Sequence, residues 1–316
     1  MNKAFASQAD TRPKTISFAE IGAGLYAFTA EGDPNSGVVI GDDSVMVIEA
    51  QATPRLAQKV IESVRSITDK PITHLVLTHY HAVRVLGASA FGAGQIIMSD
   101  KARAMVAERG QEDWDSEFQR FPRLFEGHET IAGLTWPTTT FDTAMTVYLG
   151  QRRVEIKRLG RAHTAGDAVV YVPDQNVMFT GDIVEYQSAC YCGDGHFRDW
   201  GHTLDAIGAY ALDAIAPGRG QALVGREMVD CAIASTRDFV RSTYGAAARV
   251  AARGGTLKDA FAAVRAACDA KFGDYAIYEH CLPFNVARAY DEARGIDTPR
   301  IWTAERDVQM WTALQG

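Results

Sequence analysis

Short apolar runs separated by turn residues dominate the first half of the chain. The apolar residues 38–40 and 45–48 flank the polar segment Gly-Asp-Asp-Ser, which is typical of a β-hairpin. Thr53 followed by Pro54 predicts a capped helix start, and apolar residues recur at helical spacing after it. A β-rich region followed by a helix is therefore the first unit of the pattern.

The same pattern continues along the chain and then changes character near residue 226. Further strands are predicted at residues 72–77, 95–98, 145–149, 154–159, 168–172, 177–179 and 222–224. A helix capped by Ser99 or Asp100 is predicted after the strand at 95–98. The other predicted helices are one at 203–215, one within 111–143 that Pro122 interrupts, and a C-terminal series at 228–252, 257–271, 283–294 and 297–315. This order predicts an α/β fold in which helices cover two sheets, followed by an all-helical extension.

Composition and charge narrow the class of protein. The 316 residues are 47% hydrophobic and 22% charged, and the formal net charge of −7 argues against a general nucleic-acid binder. No apolar run approaches the roughly 20 residues of a membrane span, and the N-terminal segment lacks the apolar core of a signal peptide. The five cysteines are an odd, sparse set that suits a reducing compartment. We therefore expect a cytoplasmic protein with a small-molecule partner and neither a nucleic acid nor a membrane. The sequence leaves a monomer and a homo-oligomer open.

Histidine and aspartate side chains lie where predicted strands end. His79 and His81 follow a buried strand, and residues two apart on an extended segment point the same way. His163 lies in the segment GRAHTAGD between two predicted strands, and Asp182 ends the segment FTGD. Three histidines and one aspartate at strand ends form a candidate ligand set for zinc or iron.

In this order the motifs resemble those of the metallo-β-lactamase superfamily, over about residues 18–225, and in particular its glyoxalase II-like branch. The resemblance implies a four-layer αββα sandwich at residues 1–225, with a metal site at one edge. It also implies that the helical extension, residues 226–316, packs on or near the active site. The family's metal ligands would then be His79, His81 and His163, with Asp182 as the carboxylate that bridges two metals.

The chain departs from the family motif at three positions of the second metal site. Val83 and Arg84 stand where the family has aspartate and histidine, and Arg219 replaces the last histidine. Valine has no donor atom and arginine has no free lone pair, so the second site is lost and we expect one metal ion per chain, zinc or alternatively iron. The two arginines either only neutralise Asp182 or also clamp a substrate carboxylate or phosphate.

The resemblance implies a hydrolase in which one metal-bound hydroxide attacks a small ester, thioester, lactone or amide. Asp182 would orient the water or take its proton, while Arg84 and Arg219 would replace the second metal. An anionic substrate is one of the alternatives. Two other functions stay open, namely a mononuclear iron oxidoreductase of the persulfide-dioxygenase type and a metal-free relative that binds an anion.

Three further histidines are candidate substrate contacts by the same resemblance. His196 and His202 lie in the segment after Asp182, which borders the pocket in related enzymes. His280 lies in the helical tail, which closes over the active site in hydrolases similar to glyoxalase II. Glu49, at the end of a strand, is expected to support the metal ligands rather than to be one.

Overall fold

The computed structural model describes residues 5–315 and contains a first sheet of seven strands in the order β1-β2-β3-β4-β5-β6-β7. Strands β1 to β4 pair antiparallel, and β4 to β7 pair parallel. The predicted hairpin is confirmed, because β3 and β4 are antiparallel neighbours. The seven strands are β1 Ser17–Gly22, β2 Leu25–Thr29, β3 Ser36–Ile40, β4 Val45–Ile48, β5 Ile72–Val76, β6 Gln95–Ser99 and β7 Thr139–Phe141.

A second sheet has six strands in the order β13-β12-β11-β10-β9-β8. Its pairs are antiparallel except for β11 and β12, which run parallel. The strands are β8 Ala144–Leu149, β9 Arg152–Lys157, β10 Val169–Val172, β11 Val177–Phe179, β12 Ala214–Ala216 and β13 Leu223–Val224.

Eight α-helices accompany the sheets in the described part of the chain. The predicted start at Thr53 is confirmed, because its hydroxyl accepts a hydrogen bond from the Leu56 amide at 3.1 Å. No helix within residues 5–315 has the length and apolar character needed to cross a membrane. The helices are α1 Pro54–Arg65, α2 Ala82–Val85, α3 Asp100–Arg120, α4 Phe197–Gly208, α5 Arg226–Ala252, α6 Leu257–Phe272, α7 Tyr278–Ala293 and α8 Ala304–Gln315.

The apolar core is arranged in layers. Met46 and Val76 of the first sheet meet Val170 and Phe179 of the second sheet in one buried cluster, so the two sheets pack face to face. The other face of the first sheet packs against α1 and α3. The other face of the second sheet packs against α4 and the C-terminal helices. This arrangement confirms the predicted four-layer αββα sandwich with a helical extension.

Four helices differ from the sequence prediction in their bounds. The last of them, α8, begins at Ala304 and not at residue 297. The start of α3 at Asp100 confirms the predicted cap at Ser99, whose hydroxyl accepts a hydrogen bond from the Ala102 amide at 3.0 Å. The helix continues into the 111–143 stretch and ends before Pro122, which opens a short 3₁₀ turn instead of interrupting a longer helix. Helix α4 lies at Phe197–Gly208 and not at 203–215, because the residues after Ala211 form a buried strand beside β11. Helix α7 extends beyond Pro283 toward its N-terminus, since the burial of that turn outweighs the hydrogen bond that proline removes. The division of the chain into domains after residue 225 stays a prediction.

Candidate metal centre

The three motif histidines converge at one edge of the sandwich. His79 and His81 follow β5, and His163 lies in the loop that leads into β10. Asp182 follows β11, so all four side chains come from loops that meet where these strands end. Each of the four is at most 3% exposed. The sequence therefore directs four polar side chains into a buried position, which requires that they find partners.

One ring nitrogen from each histidine lies within 4.8 Å of the others. Nδ1 of His81 and Nε2 of His163 are 2.8 Å apart. The ring of His79 lies nearly perpendicular to both, with centroid distances of 5.0 Å to His81 and 4.7 Å to His163. Three imidazoles thus surround one point.

The remaining ring nitrogens define which tautomer each histidine adopts. Nδ1 of His163 donates to the carbonyl oxygen of Tyr191 at 2.7 Å, so its Nε2 carries a lone pair when the ring is neutral. Nε2 of His81 lies 3.2 Å from the Asp194 carboxylate and donates to it, which leaves a lone pair on Nδ1. Nδ1 of His79 lies 2.9 Å from the Thr78 hydroxyl.

These hydrogen bonds leave two lone pairs facing each other at 2.8 Å, from His81 and His163, and a buried Nε2 of His79 without a partner. Such an arrangement is repulsive unless a cation stands between the rings. Without a metal, a proton on His81 fills that role. Burial alone would lower the pKa of His81, but the carboxylates of Asp113 and Asp194 raise it to about 9. Burial lowers the pKa of His163 to about 3. The donor set fits a transition metal of the zinc type, since three neutral imidazoles leave one position open.

Sequence reasoning missed the carboxylates behind His81. Asp194 accepts from Arg109 at 3.0 Å, and the same guanidinium group donates to the Pro299 carbonyl oxygen at 3.2 Å. Asp113 accepts from the Ala82 amide at 2.7 Å. Because Asp113 and Asp194 are far from His81 in sequence and belong to no motif, no sequence signal identified them. Their position is that of a carboxylate which fixes the orientation of a metal-ligating histidine.

We expect Asp194→Asn to weaken metal binding by about 10–100-fold, because the amide no longer fixes the His81 ring as a carboxylate does. Competition with a chromophoric chelator measures the affinity. Asp142→Asn, at an exposed carboxylate whose side chain is 78% accessible, is the matched control and should leave the affinity unchanged. Equal affinities in the two variants would contradict a positioning role for Asp194.

Arg84 supplies the positive charge beside Asp182. It is fully buried on the short helix α2, pairs directly with Oδ1 of Asp182 and donates to the Asn35 carbonyl oxygen at 3.2 Å. The other carboxylate oxygen of Asp182 lies 3.7 Å from Nε2 of His79 and 3.6 Å from Nε2 of His163. Burial would raise the pKa of Asp182, but Arg84 and the histidines hold it below its usual range. The predicted contact between Arg84 and Asp182 is confirmed.

Arg219 has a different partner. Its Nη1 donates to the Gly32 carbonyl oxygen at 3.0 Å, and its Nε lies 3.9 Å from the Glu185 carboxylate. Burial raises the pKa of Glu185 to about 8. The charge of Arg219 helps to lower the pKa of Asp182. Within residues 5–315, however, the carboxylate that lies closer than 4.0 Å to Arg219 is that of Glu185. Of the two arginines expected to neutralise Asp182, only Arg84 contacts it directly in the described part of the chain.

A narrow cavity adjoins the histidines, and α7 of the helical extension forms part of its wall. His280 lies there, as the sequence predicted for a residue near the active site. Arg219 lines the cavity, whereas Arg84 does not. The lining residues are His81, Val83, Glu117, Phe121, His163, Asp182, Tyr191, Arg219, Ile277, His280 and Cys281.

The other two candidate substrate contacts lie elsewhere. His196 is buried at the start of α4, where its amide donates to the Ala162 carbonyl oxygen at 2.8 Å, and it is not part of the cavity wall. His202 is exposed on α4 and lines a separate surface depression beside Arg237. Neither histidine therefore lines the cavity beside the histidine cluster.

Glu49 supports the loop that carries the ligands. Its Oε1 accepts from the amide of Thr78 at 2.9 Å, directly before His79. Burial raises the pKa of Glu49 to about 7. The predicted supporting role, rather than a ligand role, agrees with this contact.

The model of the metallo-beta-lactamase superfamily matches residues 29–218, which is more than half of the chain. The chain belongs to this superfamily. The match includes all three histidines and Asp182, and it ends just before Arg219. It does not distinguish the glyoxalase II-like branch from others.

Two curated relatives are hydrolases of this superfamily. The linear primary-alkylsulfatase of Pseudomonas sp. (strain ATCC 19151) is 22% identical over 233 residues, which are 63% of this chain and 43% of the relative. The metallo-beta-lactamase type 2 of Bacillus sp. (strain 170) is 22% identical over 219 residues, 66% of this chain and 77% of the relative. The chain thus matches less than half the length of the alkylsulfatase.

Solved structures with a similar fold include a metallo-beta-lactamase and a sec-alkyl sulfatase. A metallo-beta-lactamase from Pontibacter korlensis has a TM-score of 0.58 and 16% identity, covering 72% of this chain and 99% of its own. A double mutant of the sec-alkyl sulfatase PisA1 has a TM-score of 0.69 and 16% identity, covering 89% of this chain and 50% of its own. The larger coverage by PisA1 means that its similarity extends beyond the sandwich into the C-terminal helices.

Proposed function

We propose that this superfamily member is a hydrolase that uses one metal ion, preferably zinc, to cleave a small ester, thioester, lactone or amide. The observation that carries the proposal is the convergence of three ring nitrogens whose outer nitrogens are already engaged. His79, His81 and His163 would hold the metal. When bound in such a site, zinc polarises the scissile group and activates water.

The oxygen Oδ2 of Asp182 faces the histidines while Oδ1 is engaged by Arg84. Because Arg84 keeps the carboxylate charged, Asp182 is a weak base and a good hydrogen-bond acceptor at neutral pH. Of the two roles open to it, we assign to Asp182 the orientation of the attacking water through Oδ2 rather than the removal of its proton. Arg84 maintains that charge state.

A second candidate substrate is an alkyl sulfate ester. Two of the similar proteins are alkylsulfatases by name, and one of them covers 89% of this chain. The site also presents Arg219, a cation, on the cavity wall. Hydrolysis assays with a panel of carboxylic esters, a thioester, a lactone, a β-lactam and a short alkyl sulfate separate the candidates. Activity that is lost with a chelator and restored by zinc supports the proposal, whereas a metal-replete protein inactive on the whole panel contradicts it.

We expect at most one tightly bound transition metal per chain, because Val83, Arg84 and Arg219 occupy the positions of three second-site ligands. Elemental analysis of untagged protein by mass spectrometry gives the stoichiometry. Zinc near one per chain supports hydrolysis, iron supports the oxidoreductase alternative, and absence of metal after growth in zinc-supplemented medium supports the metal-free anion-binding alternative. Two metals per chain would refute the loss of the second site.

A further inference from the structure

Among the described residues, three buried polar atoms on the cavity wall have no hydrogen-bond partner. They are Nε of Arg219, Nδ1 of His280 and the hydroxyl oxygen of Tyr191. The three residues are 5%, 6% and 6% exposed, and all of them line the cavity that contains His81, His163 and Asp182. A buried polar atom without a partner is costly, so such atoms indicate a position where a ligand group completes the bonding.

Arg219 retains unused donor capacity. Its one described hydrogen bond runs from Nη1 to Gly32, and the 3.9 Å between Nε and Glu185 is too long for another. A guanidinium group carries five N–H donors. The Nε donor of Arg219 therefore has no hydrogen-bond partner among the described residues, and Arg219 lines the cavity.

His280 lines the same cavity as Arg219 and belongs to α7. Burial lowers the pKa of His280, and the charges of Arg120 and Arg219 lower it further. His280 is in the first turn of α7, where the positive end of the helix dipole favours a negative charge.

The other charges of the cavity wall are already compensated. Glu117 pairs with Arg120 at 2.9 Å, and Asp182 pairs with Arg84. Arg84 is fully buried, is engaged by Asp182 and Asn35 and does not reach the cavity. The two arginines thus differ: Arg84 neutralises Asp182, and Arg219 faces the space beside the histidines.

We propose that Arg219 and His280 form an oxyanion subsite, which binds the carboxylate or sulfate group of a small ligand beside the three-histidine centre. Its role in catalysis rests on the proposed hydrolase function, since that anionic group would belong to the substrate. The apolar side chains of Phe121 and Ile277 complete the wall next to the subsite. The anion binding itself requires no reaction.

The test is a calorimetric titration of the purified, metal-characterised protein with sodium acetate and with sodium sulfate, at constant ionic strength in chloride. We expect saturable binding of at least one anion by the unaltered protein. Arg219→Lys and His280→Phe should each weaken it by at least about tenfold, at unchanged metal content. Arg55→Gln, at a guanidinium group that is 60% exposed, is the matched control and should bind as the unaltered protein does.

If His280→Phe weakens anion binding while its metal content is unchanged, the anion does not bind through the metal alone. Preference for acetate or for sulfate identifies the ligand group, and either result supports the subsite. Absence of saturable binding for both anions, or binding unaffected by both substitutions, overturns it. Anion binding without hydrolysis of any panel substrate would retain the subsite and reject the hydrolase. Hydrolysis of neutral esters without anion binding would do the reverse.

Discussion

His81→Ala is expected to remove both the metal and the hydrolytic activity. His81 contributes one of three converging ring nitrogens, and its Nδ1 lies 2.8 Å from Nε2 of His163. The loss of a residue that merely orients a ligand already weakens metal binding by about 10–100-fold, so the loss of a ligand should exceed about 100-fold. Elemental analysis after dialysis and the ester panel measure the two effects.

His128→Ala is the matched control for this experiment. His128 is outside the cluster, and its side chain is 57% exposed. The substitution should change neither metal content nor activity by more than a small factor. If His81→Ala retained its full metal content, the metal would have to bind elsewhere, and the three-histidine centre would be wrong.

The sequence identified those parts of the site that lie in contiguous motifs. His79 and His81 are two residues apart at a strand end, and His163 and Asp182 lie in short segments beside predicted strands. Each position follows from local pattern, and the structure brings all four side chains together. The layered fold was predictable for the same reason, because apolar periodicity marks the strands that form the sheets.

Contacts that depend on how distant elements pack were not predictable. Asp194 reaches His81 from a loop more than a hundred residues away, and Asp113 does so from α3. A surface carboxylate and one that orients a ligand have the same appearance in a sequence. The bounds of α4 were also predicted wrongly: the structure places His196 directly before this helix and His202 on it, and neither residue lines the cavity.

The arginines at two of the family's ligand positions predicted that Asp182 is compensated, but not which arginine contacts it. Charge compensation of Asp182 was predictable from the identity of Arg84 and Arg219, because a buried carboxylate requires a partner. Which arginine would provide it depended on three-dimensional detail. Helix α2 places Arg84 against Asp182, while the turn that carries Arg219 directs it toward Gly32 and Glu185.

Arg84→Met should lower the free energy of unfolding by about 3–5 kcal/mol, because it leaves the buried carboxylate of Asp182 without its charge partner. Both side chains are at most 3% exposed, and their contact is direct. Urea unfolding, followed by circular dichroism at matched metal content, measures the loss. Arg55→Gln, at an exposed ion pair, should stay within about 0.5 kcal/mol of the unaltered protein.

A double substitution distinguishes an unpaired charge from lost packing. In Arg84→Met combined with Asp182→Asn, the charge that Arg84 compensates is absent, so much of the stability lost in Arg84→Met should return. If the double variant is as unstable as the sum of the two single variants, the loss arises from packing around the side chains. In that case Arg84 would not act as a replacement for the second metal's charge. If Arg84→Met is as stable as the unaltered protein, another group compensates Asp182. Arg219 is then the candidate, because it lines the same cavity and its charge also lowers the pKa of Asp182.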